Sequence, residues 1–191
     1  PSLSQFIDCA IHPSWSISML MSGGSPAPAN FKNLPPFRRD RPRAGADWDF
    51  LKKLRDSWKG NLIVKGVLDP QDAKNIKELG IDAIYVSGHG ARQLDSLPAP
   101  IIQLPKIRKA VGKNYPLLFD TGVRNGEDVV KAYASGADFV MLGRPILYAL
   151  GADGERGLKT IINYISKEIQ VTLAQIGLAK ISEVNPTNLI T

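Results

Sequence analysis

Residues 82–95 read DAIYVSGHGARQLD. Ala83 to Ser87 form a nearly unbroken apolar run, and a titratable base, a guanidinium and two glycines follow at once. Three similar runs lie around it: Leu62–Lys65, Pro116–Asp120 and Asp138–Gly143. Runs this short and continuous predict strands buried on both faces, as the strands of parallel sheets are. In the intervals apolar residues recur at helical spacing: Ala73, Ile76 and Leu79, then Ile101, Leu104 and Ile107, then Val129, Val130 and Tyr133. Asp69 before Pro70, Asn125 and Asp153 are N-cap signals. The last helix is the longest, with Leu158, Ile161, Ile162, Ile165, Ile169, Leu173 and Ile176 marking one stripe over residues 153–177. Four βα units in succession predict an α/β fold on a parallel sheet.

Residues 1–60 do not share this rhythm. Phe6, Ile7, Ala10 and Ile11 predict a short amphipathic helix ending at His12-Pro13, where His12 caps the helix or meets solvent. A second helical stretch through Trp15 and Met19 ends at Gly23-Gly24, and a third, with Trp48, Leu51, Leu54 and Arg55, leads into the first strand.

The 191 residues are 43% hydrophobic, 22% charged and 7% aromatic, which excludes a disordered, collagen-like or disulfide-scaffold chain. No run approaches the ~18 to 20 apolar residues of a membrane-spanning helix, and no secretory leader pattern opens the chain. The single cysteine, Cys9, makes no internal disulfide; it is expected to be a small buried apolar residue in a reducing compartment, the cytoplasm. Of the net charge of +6, most comes from residues 31–60, which hold nine basic and four acidic groups. The stretch FKNLPPFRRDRPRAG within them, rich in Arg and Pro, predicts a solvated basic loop. Nucleic-acid readers usually show more than one such loop, so no nucleic-acid partner is expected.

Polar residues of unusual type fall at the C-terminal ends of all four predicted strands: Lys65, then Ser87 and His89, then Asp120 and Arg124, then Gly143-Arg144. In parallel α/β architectures the catalytic face is built from those ends. An ammonium group closing an apolar strand calls for an anion beside it. A positive charge fixed there suits a developing anion, such as a reduced flavin near N1. His89 exchanges a proton near neutral pH, and Arg92 grips a carboxylate through two parallel hydrogen bonds. The turn Asp120-Thr121-Gly122-Val123-Arg124-Asn125-Gly126 gathers amides and a guanidinium where a phosphate can rest. Gly143-Arg144-Pro145 opens a short extra helix, and phosphate sites of this construction are a barrel feature. No metal site is expected.

The segments VKG at 64–66, SGHGARQLD at 87–95, DTGVRNG at 120–126 and LGRP at 142–145 resemble the FMN-dependent 2-hydroxy acid dehydrogenase and oxidase family, which includes glycolate oxidase, L-lactate dehydrogenase and mandelate dehydrogenase. The resemblance covers residues 47–185 strongly and 1–30 loosely. It implies the C-terminal half, strands 5 to 8, of a (β/α)8 TIM barrel, FMN as cofactor, and oxidation of an L-2-hydroxy acid of lactate, mandelate or glycolate type to the 2-oxo acid. By the same resemblance His89 is the base and Arg92 the carboxylate-binding residue. Lys65 is a flavin N1/O2 contact and Ser87 a ring contact; Asp120, Thr121, Gly122, Val123 and Arg124 lie along the ribityl and phosphate, with Gly143 and Arg144 at the phosphate end. Gly88 stands where Asn is usual, and Thr121 where Gly or Ser is usual.

A complete barrel needs ~250 residues and eight βα units, against the four legible here. The chain is therefore expected to be a fragment, a processed piece or part of a longer polypeptide, partnered by the other half-barrel on the same or a companion chain, in a homo-oligomer. Residues 1–60 are then the excursion between strands 4 and 5, a lid that in membrane-attached members also docks to the bilayer, and residues 61–191 the second half of the FMN-binding barrel. Trp15, Met19, Leu20 and Met21 with the Arg-rich loop suit peripheral contact at the inner face of the cell membrane. Two other readings stand beside this one: a non-catalytic half-barrel holding FMN or phosphate, and another FMN-dependent barrel enzyme, such as an isomerase, in which Arg92 meets a different anion.

Overall fold

The computed structural model describes residues 2–24 and 46–189, so the Arg-rich stretch 31–45 lies outside the described residues. The chain divides into two compact units, residues 1–45 and 46–191. In the first, α1 (Leu3–Ile11) is opened by a reciprocal cap between Ser2 and Gln5, and α2 (Pro13–Met21) begins on a proline, whose missing N–H costs nothing at a first helical position. His12 is the joint between them, its ring Nδ1 lying 2.8 Å from the Asp8 carbonyl oxygen. Neither helix buries a residue; Phe6, Leu20 and Met21 are 67%, 72% and 85% exposed. Cys9 is exposed too, contrary to the burial expected of it, because α1 has no packed face.

The second unit runs α3 (Trp48–Ser57), β1 (Ile63–Val67), α4 (Pro70–Glu78), β2 (Ala83–Val86), α5 (Pro100–Val111), β3 (Leu117–Phe119), α6 (Gly126–Ala134), β4 (Phe139–Val140) and α7 (Arg144–Gln175). The four strands form one parallel sheet in the order β1-β2-β3-β4, as the βα rhythm predicts. Asp69 and Asn125 cap α4 and α6 through side-chain oxygens that accept from backbone N–H groups. The core lies on one face of the sheet, where Val67, Ile84, Val86, Leu117 and Phe119 pack against Ala73, Ile76, Leu104, Ile107, Val129 and Ile165. Each large side chain buried there contributes about 1.5–3 kcal/mol.

Among the described residues the other face has no such cover. Ile63 and Phe139 are 47% and 56% exposed, with Tyr85 and Leu118 half-buried between them. Burial on both faces therefore holds best for β2 and β3 and fails for β1 and β4, each of which pairs on one side only among the described residues.

Lys65 is not the end of its strand. β1 continues through Gly66 to Val67, and the register shifts between them: Lys65 stands opposite Tyr85, but Val67 stands opposite Val86. Gly66, at φ 96°, absorbs the extra residue, as glycines at bulges do. Lys65 therefore lies on the open face and Val67, 7% exposed, in the core.

Two expected helix faces also shift. Ile101 is 36% exposed because the buried row of α5 is Pro100, Leu104, Ile107 and Val111. On α7, Ile165 and Leu173 are buried and Ile161 and Ile169 partly so, whereas Ile162 and Ile176 face outward. The helix begins at Arg144 and breaks at Asp153 and Gly154, so the short extra helix and the long last helix join end to end at the expected cap. At the opposite end of the sheet, Asp82 accepts from Arg55 and from the Leu62 N–H, and Asp138 accepts from Arg108 and from the Leu117 N–H. The same strut recurs one strand pair later.

Candidate active site

Four parallel strands deliver their C-terminal ends to one rim, where the loops enclose a cleft of about 350 Å³. Ten of the eleven predicted site residues line it; the eleventh, Ser87, is 2% exposed beneath it. Its hydroxyl accepts from Lys65 Nζ at 2.9 Å and from the His89 N–H at 3.1 Å, so it ties the strand lysine to the loop above.

The anion that Lys65 requires is Asp120, 2.8 Å from Nζ. Tyr85 donates its hydroxyl to the same carboxylate oxygen at 2.8 Å, and Thr121 donates to the other at 2.8 Å. The ammonium also lies 3.7 Å from the centre of the Tyr85 ring, close enough for an attractive cation–π contact. Burial pushes the Asp120 carboxyl up, but hydrogen bonds from Lys65, Ser87, Thr121 and Tyr85 prevail and hold it below the usual carboxylate value. The Tyr85 phenol is raised, first by burial and then by its bond to Asp120 and that residue's charge. Tyr85 was not singled out from the sequence, where it reads as one more member of an apolar strand. The available signal was its alternation within Ala83-Ile84-Tyr85-Val86, which sets it on the face opposite Ile84 and Val86.

The loop after β2 turns at His89–Ala91 with three consecutive left-handed residues, His89 (φ 52°), Gly90 (φ 64°) and Ala91 (φ 62°). The turn holds His89 and Arg92 exposed at the mouth of the cleft. Arg144, from the start of α7, donates to the Gly90 carbonyl and braces this turn from the far side.

After β3, Gly122 (φ 97°) has nothing within 4 Å of the place a Cβ would take, so the backbone there is bare towards the cleft. Val123, 4% exposed, anchors the turn beside it. The Arg124 N–H is held by Asp128 at 2.8 Å, and its guanidinium donates to the Val123 carbonyl at 2.9 Å while the residue stays exposed. Gly143 caps α7, whose first turn brings free N–H groups and the positive end of the helix dipole to the same cleft. A lysine at the floor, bare backbone along one wall and two guanidiniums with a helix N-terminus at the far end fit an elongated phosphate-bearing ring system such as FMN.

The model of the FMN-dependent dehydrogenase family matches residues 1–191. An L-lactate dehydrogenase of Allorhizobium ampelinum is 36% identical over 99% of this chain and 52% of its own length. One from Caulobacter vibrioides is 46% identical over 74% of the chain and 37% of its own length. Among solved structures, the monotopic membrane protein (S)-mandelate dehydrogenase superposes with a TM-score of 0.89 at 36% identity, covering 100% of this chain and 52% of that one. A mandelate oxidase mutant carrying an FMN adduct matches 73% of the chain with a TM-score of 0.69 at 33% identity. The chain thus spans about half the length, or less, of the relatives it matches. Their fold is the TIM barrel, and the four βα units described above are its C-terminal half, strands 5 to 8.

Proposed function

The chain belongs to the FMN-dependent dehydrogenase family, and from that membership we propose that it supplies the base and the cofactor-gripping half of an enzyme that oxidises an L-2-hydroxy acid of lactate, mandelate or glycolate type to the 2-oxo acid. The observation that carries this reading is the placing of His89 and Arg92 together at the mouth of a cleft whose floor is Lys65 and whose far end is Arg124, Gly143 and Arg144.

FMN, when bound, takes up the hydride that leaves the substrate Cα. The protein's own part is to position and to move a proton. Arg92 holds the substrate carboxylate with a charge-assisted pair of hydrogen bonds. That grip turns the hydroxyl towards His89, and the imidazole removes its proton as the C–H bond breaks, leaving the 2-oxo acid. Lys65 would meet the flavin at the N1/O2 side, where its ammonium, held by Asp120 and Ser87, opposes developing negative charge. Ser87 would support the ring, and Asp120, Thr121, Gly122 and Val123 would flank the ribityl chain. Arg124, Gly143 and Arg144 would hold the phosphate.

The open sheet face and the edges of β1 and β4, unpaired among the described residues, support a second element of the reading: the complementary four βα units, on the same polypeptide or a companion chain, complete the barrel. The matched mandelate dehydrogenase is a monotopic membrane protein, and α1 and α2 present Phe6, Ile11, Trp15, Leu20 and Met21 to solvent. No helix among the described residues is long and apolar enough to cross a membrane. Residues 1–24 would therefore make a peripheral contact, which vesicles of anionic lipid test by co-sedimentation.

The central test is the visible spectrum of the purified protein before and after anaerobic addition of L-lactate, L-mandelate and glycolate in turn. Bleaching of the flavin bands by one acid is expected. Flavin that none of them reduces would favour a binding half-barrel, and absence of flavin would overturn the reading.

A further inference from the structure

Three non-glycine residues have left-handed backbone among the described residues, and all three belong to one cluster: His89, Ala91 and Thr121. For a β-branched residue this conformation is a genuine outlier, costing of order 1–3 kcal/mol. Thr121, at φ 80°, is therefore held against its own preference. Its side chain accounts for the holding. The hydroxyl oxygen accepts from the Gly88 N–H at 3.1 Å and from the Gly90 N–H at 3.3 Å, the two amides that flank His89, while its hydrogen goes to Asp120 at 2.8 Å. Gly88 relieves crowding chiefly on the side of Pro100. A Cβ there would come within 3.1 Å of the Pro100 ring and 3.6 Å of the Thr121 methyl.

We propose that Thr121 is a positioning residue for the base: its hydroxyl clamps the backbone on both sides of His89 and ties that turn to the Lys65–Asp120 ion pair. The two departures from the family's usual sequence are neighbours in space: the Thr121 methyl lies 3.6 Å from where a Cβ at 88 would stand, and the threonine hydroxyl accepts from the glycine's own N–H. The proposal rests on the reading of His89 as the base, and it differs from the cofactor-contact role that resemblance gives to position 121. Any shift of Asp120 would pass through Thr121 to the turn that carries the imidazole.

The test compares Thr121→Val and Thr121→Ser in the FMN-loaded protein with two readouts. Deuterium exchange of the Gly88 and Gly90 amides, followed in peptides covering residues 86–95, needs no turnover. It should accelerate about tenfold or more in Thr121→Val and stay within about threefold of the parent in Thr121→Ser. The rate of flavin reduction by substrate should fall about 10- to 100-fold in the valine variant with a much smaller change in KM, as misplacement of a catalytic group by ~1 Å does; the serine variant should recover it. If valine destroys the fold, Thr121→Gly removes the clamp while relieving the backbone, and the same exchange and rate changes are expected. Unchanged exchange in a folded valine or glycine variant, or equal losses in valine and serine, would overturn the proposal. If no 2-hydroxy acid reduces the parent protein, the reading of His89 has failed, and the exchange measurement still decides the clamp.

Discussion

Lys65 and Asp120 meet at 2.8 Å although 55 residues of chain separate them, and Tyr85, from the strand between, donates to the same carboxylate oxygen while lying under the ammonium. Two adjacent strands and the residue that follows the third thus each contribute one member of a charged unit at the floor of the cleft.

The carboxylate is the member whose loss can be read by pH. Asp120 is held below the ordinary carboxylate value, so its contribution to stability is complete above ~4 and is lost as pH falls through the lower folded value. Asp120→Asn should cost about 1–2 kcal/mol at pH 7, reduced from a buried pair's worth because Lys65 is half exposed. The variant should also show a shallower loss of stability below pH 4, measured by urea unfolding across pH. Equal acid dependence in both proteins would separate Asp120 from the acid transition.

Tyr85 acts in the opposite sense. Its phenol is raised, so the neutral form is the one the fold favours; that stability is present below ~10 and declines as pH rises beyond it. Tyr85→Phe should remove one late-ionising tyrosine from the ultraviolet titration and weaken FMN binding several-fold, because the ammonium loses a bound partner of its carboxylate. A titration identical to the parent's would contradict this.

His89→Gln keeps a polar side chain of similar reach but cannot take a proton. Flavin reduction by substrate should fall at least about 100-fold, within the range general-base catalysis contributes, while FMN stays bound. Stopped-flow reduction with a parallel FMN titration measures both; retained reduction would exclude His89 as the base.

Gly126 opens α6 against the backbone of α7. A Cβ there would lie 2.5 Å from Glu168 Cβ and still closer to the Ile169 nitrogen, and the Gly126 N–H donates to Glu168 at 2.9 Å. Gly126→Ala should therefore destabilise by about 1–3 kcal/mol, the usual cost of overpacking, with the direction read from the urea midpoint. A midpoint at or above the parent's would show that α7 can retreat freely.

Much of this architecture was legible in the sequence because its signals are local. Apolar runs marked all four strands, and Asp69, Asn125 and Asp153 marked helix caps or a helix junction. The motif after β2 identified His89 and Arg92 as neighbours, and the loops after β3 and β4 identified the cleft's far end. What was hidden depends on register and on partners. Lys65 was read as a strand end because a bulge leaves no mark in hydropathy. Tyr85 looked apolar because only its place between Lys65 and Asp120, contributed from either side of its strand, gives it polar work. Ile63 and Phe139 were expected inside because apolar strands suit a closed barrel, and among the described residues the face opposite the helices has no covering layer. Cys9 was expected inside on residue type alone, which carries no information about whether its helix packs.

The bulge at Gly66 has a further consequence. Side chains on a strand alternate like letters read two at a time, and Gly66 is a one-letter insertion that changes the reading frame midway. Before it, the odd positions of β1, Ile63 and Lys65, lie on the open face; after it, Val67 faces the helices. Straightening the strand with Gly66 kept in the ladder would restore strict alternation, bringing Val67 to the face of Lys65 and leaving its place in the core open. The φ of 96° that Gly66 adopts is thus what keeps Lys65 and Val67 on opposite faces, and a β-branched residue there would press the strand back towards the regular ladder.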